Sequence, residues 1–249
     1  TPEEGFKDAS DFLQAGRSND LSKLVQFGRR AYSSEKIVKA VDIDFDDIIT
    51  PRPEGIYVNC FPKLMEKLHG FRASLLVLLT CPSVVCNSSV TSIFASAFME
   101  SGEKLGMIYL EETNKETIQR LIASKLKVNY LEFKNNPLNV AKREDIERCY
   151  REIVDNDKLV MLSHFGSLPV SELMAKIKHM HLVEGCRFII LDHLSLVISG
   201  SMVKDERKEL DIVMTELAAF CAANDVCIIA VSHINRTAAA IFLSIQCHV

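Results

Sequence analysis

The segment "LLTCPSVVCNSSVTS", residues 78–92, decides the fold because it joins an apolar run to a helical pattern through a short loop. The run "SLLVLLT" (74–80) is unbroken, which predicts a strand that is buried on both faces. A helix is expected to begin near Ser88 and to end near Gly102. A strand, a loop and a helix in this order indicate an α/β sheet.

The loop of this segment stands where a phosphate-binding loop would stand, but it lacks the residues of one. That motif reads G-x-x-x-x-G-K-[ST], and its glycines and lysine hold the phosphates. Here Cys81 and Cys86 occupy the glycine positions, and Asn87 occupies the lysine position. Only Ser88 keeps its hydroxyl, which could serve as a Mg²⁺ ligand.

Further apolar runs alternate with helical patterns along the rest of the chain. Strands are predicted at 104–112, 158–165, 186–199 and 226–233, and helices at 61–70, 114–126, 142–153, 169–185 and 205–225. A final run, "IFLSIQCHV", could be one more strand. This alternation predicts an α/β fold, a parallel sheet of at least five strands flanked by helices with right-handed crossovers.

The first part of the chain has a different pattern from the sheet domain. Residues 1–40 are polar with apolar residues at helical spacing, which predicts an N-terminal helical linker. Two prolines in "TPRPEG" (50–55) break the chain, so 41–55 is interpreted as a linker. The α/β domain is then expected over 56–249.

Composition excludes several classes of protein. The net charge of −4 does not indicate a protein that binds nucleic acid through a basic face as a whole. No apolar run approaches the roughly 18 residues of a membrane span, so no membrane partner is expected. Eight cysteines without a C-x-x-C pair argue against a zinc ribbon and favour a reducing, intracellular compartment.

Several candidate residues lie at the carboxyl ends of the predicted strands, where parallel sheets bind their ligands. Asp192 ends the apolar run "FIILD". A carboxylate at the end of an apolar strand is the Walker B arrangement, which orients Mg²⁺ near a phosphate. Glu111 and Glu112 end "GMIYLEE", and one of them could polarise an attacking water. His233 follows "CIIAVS" and could sense a terminal phosphate. Taken singly, each could instead be a turn residue, a solvated strand end or a packed side chain.

The charge run "SMVKDERKE" (201–209) is a second candidate region. A solvated helix start is its ordinary interpretation, because acidic residues are favourable near the positive end of a helix. Its cations, Lys204, Arg207 and Lys208, could also face a nucleic-acid backbone in a central channel.

The quoted strand ends carry a resemblance to a known family. "GMIYLEET", "RFIILDHLSLVISG" and "DERKELDIVMTELAAFCAANDVCIIAVSHINR" resemble the helicase domain of phage primase-helicases and of Twinkle-type mitochondrial helicases, which belong to the DnaB-type ring helicases. "GFRASLLVLLTCPS" is similar to the family's G-F-R-x-G-E-L-x-V-L-T-G-P-T. "GFKDASDFLQAG" resembles the tail of a TOPRIM primase domain, which would lie within residues 1–40. The resemblance spans residues 5–30 and 50–236.

The resemblance implies a RecA-like core and a role for each matched residue. Asp192, with Ser88, would hold Mg²⁺. Glu111 would be the hydrolytic base with Glu112 beside it, and His233 would be the phosphate sensor. ATP would bind between subunits of a hexamer, against the loop residues Ser83, Asn87, Ser88 and Ser89. Arg236 would join Lys204, Arg207 and Lys208 near the nucleic acid.

The chain departs from the family in two places. Its loop reads C-P-S-V-V-C-N-S-S where the family has G-P-T-G-x-G-K-[ST]-T. The lost lysine removes a charge-assisted contact to the phosphates, on the order of 2–3 kcal/mol. After Arg236 the family continues with a channel loop and an arginine finger, but no arginine follows here, so the C-terminal part of the domain is expected to be incomplete.

These features predict a pseudo-ATPase that binds no cofactor by preference. It would act as a binding or assembly subunit, in a homo-oligomeric ring or a heteromeric assembly, within a mitochondrial nucleic-acid or ribonucleoprotein complex. The mitochondrial location rests on the Twinkle-type resemblance alone. Two alternatives stay open: an active 5′–3′ DNA helicase that uses ATP and Mg²⁺ in mitochondrial DNA replication, and a nucleotide-independent protein that binds single-stranded nucleic acid.

Overall fold

A computed structural model of the chain describes residue 17 and residues 39–82, 87–155, 157–199, 206–234 and 243–246. The chain divides into two compact units, Thr1–Arg52 and Pro53–Val249. In the first unit, a 3-10 turn (Ala40–Asp42) precedes a short helix α1 (Phe45–Ile49), and the Asp44 carboxylate caps this helix by accepting from the Asp46 N–H at 3.1 Å. The helices and the TOPRIM-like tail predicted within residues 1–40 lie outside the described residues, except for residues 17, 39 and 40.

The second unit alternates strands with helices. Its strands are β1 (Leu76–Pro82), β2 (Leu105–Tyr109), β3 (Leu159–Met161), β4 (Phe188–Asp192), β5 (Cys227–Ile234) and β6 (Leu243–Gln246). The helices before β3 are α2 (Pro62–Leu68), α3 (Asn87–Glu100), α4 (Asn114–Leu126), α5 (Tyr130–Asn135), α6 (Pro137–Val140) and α7 (Arg143–Val154). Those after β3 are α8 (Val170–Leu182), α9 (Leu194–Ser199) and α10 (Glu206–Asn224).

The strands form one sheet in the order β3-β2-β4-β5-β1-β6. The first five strands are parallel, and β6 lies antiparallel to β1 at the edge, with Leu79 opposite Leu243. This confirms the predicted RecA-like α/β fold with at least five parallel strands flanked by helices. Since the five strands run the same way, their carboxyl ends meet at one edge of the sheet.

Both faces of the sheet are buried, which explains why its strands are unbroken apolar runs. Along β4, Phe188 and Ile190 pack into the core under α3, α4 and α7, whereas Ile189 and Leu191 pack into the core under α8, α9 and α10. Each of these four side chains is at most 3% exposed. Burying one such side chain contributes about 1.5–3 kcal/mol, so the two cores hold the strands in register.

Three predicted strands are shorter in the structure than in the sequence interpretation. The strand predicted at 104–112 ends at Tyr109, and the one at 158–165 spans only Leu159–Met161. The strand predicted over 186–199 ends at Asp192, and α9 follows it. A short apolar run does not distinguish strand from helix by periodicity. The helical solution buries Leu194 and Val197, three residues apart, on one side of α9.

Candidate functional site

A cleft of about 360 Å³ opens beyond the carboxyl ends of β2 and β4, next to the first turn of α3. It gathers four of the residues that the sequence predicts for a nucleotide site: Ser88, Glu111, Glu112 and Asp192. Its other lining residues are Tyr109, Glu116, Arg120, Tyr130, Leu131 and Lys134. Residues far apart in sequence therefore meet where the topology of the sheet places a ligand.

Glu112 is fixed by three hydrogen bonds from α4. Arg120 donates to Glu112 Oε2 from Nη2 at 2.7 Å and from Nε at 3.3 Å, and Thr117 Oγ1 donates to Oε1 at 3.0 Å. The two charged side chains are only 14% and 18% exposed. The Arg120 guanidinium also lies 3.8 Å from the centroid of the Tyr130 ring, a cation–π contact. These donors engage both carboxylate oxygens, so Glu112 serves to position α4.

Glu111 is the more accessible member of the glutamate pair. Its side chain is 62% exposed, and its Oε1 lies 3.0 Å from Nε2 of the buried His193. His193 directly follows Asp192, so this contact joins the bend after β2 to the end of β4. Of the two glutamates, Glu111 is therefore the one that solvent can reach, as a hydrolytic base would require.

Asp192 is the last residue of β4, as the sequence predicts, and it is largely buried. Its carbonyl accepts from the Leu110 N–H at 2.9 Å, which ties it to β2. Burial above all, together with the nearby carboxylates of Glu112 and Glu111 and against the opposing effect of His193, raises the pKa of the Asp192 carboxyl to about 6. Asp192 is thus partly protonated in mildly acidic solution.

This raised pKa predicts that Asp192→Asn stabilises the protein at neutral pH. The folded-state pKa exceeds the ordinary value of 3.8, so the protonated carboxyl favours folding. That contribution is complete below about pH 4 and is lost as pH rises through about 6. Near pH 7.5 the variant should be more stable than the wild type by about 1–3 kcal/mol. Urea unfolding of both proteins at several pH values tests this.

The predicted difference in the free energy of unfolding between Asp192→Asn and the wild type depends on pH in a distinctive way. It should shrink towards zero as the pH approaches 4, where the wild-type carboxyl is protonated in the folded state. A stability difference that stays constant from acid to neutral pH would show that the amide acts through packing, and would contradict the assignment of a raised pKa to Asp192.

A second ion pair lies at the mouth of the cleft. Lys134 on α5 contacts the carboxylate of Glu116 on α4 at 2.5 Å. Glu116 also completes a capping box with Thr113: its Oε2 accepts from the Thr113 N–H at 2.9 Å, and Thr113 Oγ1 accepts from the Glu116 N–H at 3.3 Å. The Lys134 ammonium, followed by the Thr113 N–H and hydroxyl, lowers the pKa of Glu116 to about 2. Both cations that line the cleft are thus ion-paired with carboxylates.

Sequence reasoning missed the residues that contact the glutamates of the cleft. Arg120, Lys134 and His193 gave no motif of their own, because each meets its partner only when the strands and helices of the domain come together. One signal was present, the T-x-x-E pattern of Thr113 and Glu116, which predicts a helix start. This pattern places α4 directly after the glutamate pair.

Other predicted residues fall outside the cleft lining or outside the described part of the chain. Asn87 is the first residue of α3, and Ser89 is exposed in the same turn. His233 is the next-to-last residue of β5, where it pairs with Cys81 of β1. Arg207 and the exposed Lys208 lie in the first turn of α10, whereas Ser83, Lys204 and Arg236 are not described. Within the described ranges, no cluster of three or more His, Cys, Asp or Glu side chains could hold a metal ion.

A parallel sheet with acidic residues beyond two strand ends, facing the helix that follows β1, defines the RecA-like class of α/β domains. Residues 57–240 match the family model of the DnaB-like helicase C terminal domain, and the chain belongs to this family.

Two relatives agree with this assignment. The DNA helicase/primase of Enterobacteria phage T3 is 28% identical over 183 residues, which are 73% of this chain and 32% of that protein. The replicative DNA helicase DnaB of Geobacillus stearothermophilus is 21% identical over 194 residues, 77% of this chain and 41% of that protein. The chain therefore spans less than half the length of either relative.

Solved structures share the fold. One of them, an ATPase domain, superposes with a TM-score of 0.63 at 18% identity, over 92% of this chain and 73% of that one. A DnaB-like replicative helicase, solved in a study of its interactions with primase, superposes with a TM-score of 0.60 at 17% identity, over 95% of this chain and 50% of that one.

In the part of the chain that the structure describes, none of the helices is long and apolar enough to span a bilayer.

Proposed function

We propose that this chain is a DnaB-like helicase domain that has lost nucleotide hydrolysis and acts as a binding or assembly subunit. The observation that carries the proposal is Asn87 at the first position of α3, where the family's lysine would reach the phosphates. An amide carries no charge, so it cannot replace that cation. Cys81, Val84 and Cys86 stand in place of glycines, and their side chains disfavour the positive φ values that a phosphate cradle uses.

The charges of the cleft support the same proposal. Its lining contains four carboxylates (Glu111, Glu112, Glu116 and Asp192) and two cations (Arg120 and Lys134). Arg120 is held by Glu112 and Lys134 by Glu116, so each cation already neutralises a carboxylate. A triphosphate placed here would meet excess negative charge without a free cation among the described residues of the lining. The residues present therefore do not fit ATP, and no hydrolytic step is assigned to them.

The proposed partners are other protein subunits, either in a homo-oligomeric ring or in a heteromeric assembly. The solved DnaB-like helicase was studied with primase, and the phage relative is named a helicase/primase, so association with replication or nucleic-acid proteins is the natural role for a retained fold. Both hydrophobic cores are well buried, which fits a fold that is retained for contacts with partners. We propose a mitochondrial host complex from the Twinkle-type resemblance, with single-stranded nucleic acid as a further ligand.

Titration with a fluorescent ATP analogue, with and without Mg²⁺, tests the proposal. The wild-type protein should show no saturable binding below roughly 1 mM nucleotide, which corresponds to a binding free energy weaker than about −4 kcal/mol. Saturable Mg²⁺-dependent binding in the micromolar range would overturn the pseudo-ATPase proposal.

Two further assays separate the alternatives. ATP turnover that single-stranded DNA stimulates and Glu111→Gln abolishes, together with unwinding of duplex DNA, would establish an active helicase, in which Glu111 is the exposed base. Absence of nucleotide binding, combined with salt-dependent binding of single strands that is lost on changing Lys204, Arg207 and Lys208, would instead favour the nucleotide-independent nucleic-acid-binding protein.

A further inference from the structure

A groove of about 500 Å³ lies between α8 and α10 and shares no lining residue with the cleft. Helix α8 lines it with Val170, Ser171, Met174, Ala175 and Lys178, and α10 lines it with Glu209, Ile212 and Glu216. These residues recur every three or four positions, so each helix contributes one stripe of its surface. Between the charged side chains, the walls are apolar, and Ile212 is 48% exposed.

Glu209 is the unusual residue of this groove. It is only 8% exposed, and no hydrogen bond or ion pair joins it to any residue in the described ranges. Its carboxylate belongs to the lining of the groove, in the first turn of α10. An uncharged apolar ligand that covered this carboxylate would remove its hydration and give no contact in return, which is costly. A cationic ligand would supply that contact as an ion pair.

The second carboxylate sets the spacing that a ligand must match. Glu216 is exposed and lies two turns beyond Glu209, which places the two residues roughly 10 Å apart along the helix axis. Ile212 lies between them on the same stripe. A helix with basic residues seven positions apart and an apolar residue between them presents the complementary pattern.

We propose that the groove between α8 and α10 binds a basic amphipathic helix of a partner protein, with one Lys or Arg ion-paired to Glu209 and a second to Glu216. Apolar side chains of that helix pack on Met174 and Ile212. The two carboxylates outweigh the one cation of the groove lining, Lys178, so basic partners are favoured over acidic ones. This inference does not depend on nucleotide, because the groove shares no residue with the cleft.

The test uses a fluorescein-labelled synthetic helical peptide of roughly 14 residues, four turns long, with arginines spaced like Glu209 and Glu216 and leucines between them. A matched peptide has glutamates in place of the arginines. Fluorescence anisotropy with the full chain should show saturable binding of the arginine peptide only.

Glu209→Gln keeps the side-chain size and should weaken binding of the arginine peptide at least about tenfold, since an ion pair covered by the bound helix is lost. Glu216→Gln, at the exposed rim, should weaken it only about twofold.

Two outcomes would overturn the proposal. One is equal binding of the two peptides, or arginine-peptide binding that Glu209→Gln leaves unchanged, because either result removes the role of the buried carboxylate. The other is self-association: if sedimentation shows an oligomer that Ile212→Arg dissociates, the occupant is a second copy of the chain. Lys178→Gln is the matched control, which should leave arginine-peptide binding unchanged or stronger.

Discussion

Returning the glycines and the lysine to the loop between β1 and α3 is expected to raise the affinity for Mg²⁺-ATP by about 10- to 150-fold. The variant combines Cys81→Gly, Val84→Gly, Cys86→Gly and Asn87→Lys. The lysine adds a charge-assisted contact to the phosphates, worth about 1.5–3 kcal/mol. The glycines allow the backbone N–H groups to approach the phosphates at positive φ. Calorimetric titration of wild type and variant measures the change.

A matched control separates the cation from the shape of the loop. A protein with the same three glycines but with Asn87→Gln has a longer polar side chain there and no charge, so it should gain little affinity. If the lysine variant binds no better than this control, the cation is not what the wild type lacks. The paired state of Arg120 and Lys134 would then be the better explanation, because the cleft itself would repel phosphate.

The strands were predictable because burial on both faces of the sheet demands apolar residues at every position. "FIILD" and "CIIAV" satisfy that demand, and the structure places the first in β4 and the second in β5. Strand ends were less predictable, since backbone pairing stops where the neighbouring strand stops. Thus β2 ends at Tyr109, opposite Asp192, the last residue of β4, and leaves Glu111 and Glu112 in the following bend.

The candidate site was predictable only in part, for a related reason. Asp192 and the glutamate pair follow apolar runs, so topology alone brings them to one edge of the sheet. Their partners, Arg120 and His193, are fixed by tertiary packing, and neither has a local sequence signal. The sequence therefore identified three of the four carboxylates of the cleft, but not Glu116 and not the contacts that occupy Glu112 and restrain Glu111.

Phe98→Ala is expected to have the largest effect on stability among single substitutions of the core. Phe98 on α3 is 0% exposed, stacks on Phe188 of β4 with ring centroids 4.5 Å apart, and meets the edge of Phe71 at 5.4 Å. Removing a buried phenyl ring loses its burial and leaves a cavity, which costs about 3–5 kcal/mol. For a domain of this size the melting temperature should fall by roughly 6–20 °C. Thermal unfolding followed by circular dichroism measures it.

Phe165→Ala supplies the matched control, because it removes the same ring from a side chain that is 71% exposed. Its effect should stay within about 0.5 kcal/mol, as for most surface substitutions. If Phe98→Ala lost as little stability as Phe165→Ala, Phe98 would not be a core residue and α3 would not pack on β4 as described. A large loss at Phe98 alone would instead show that the helix after the degenerate loop is held by its apolar contacts, so the fold persists without a bound phosphate to anchor the start of α3.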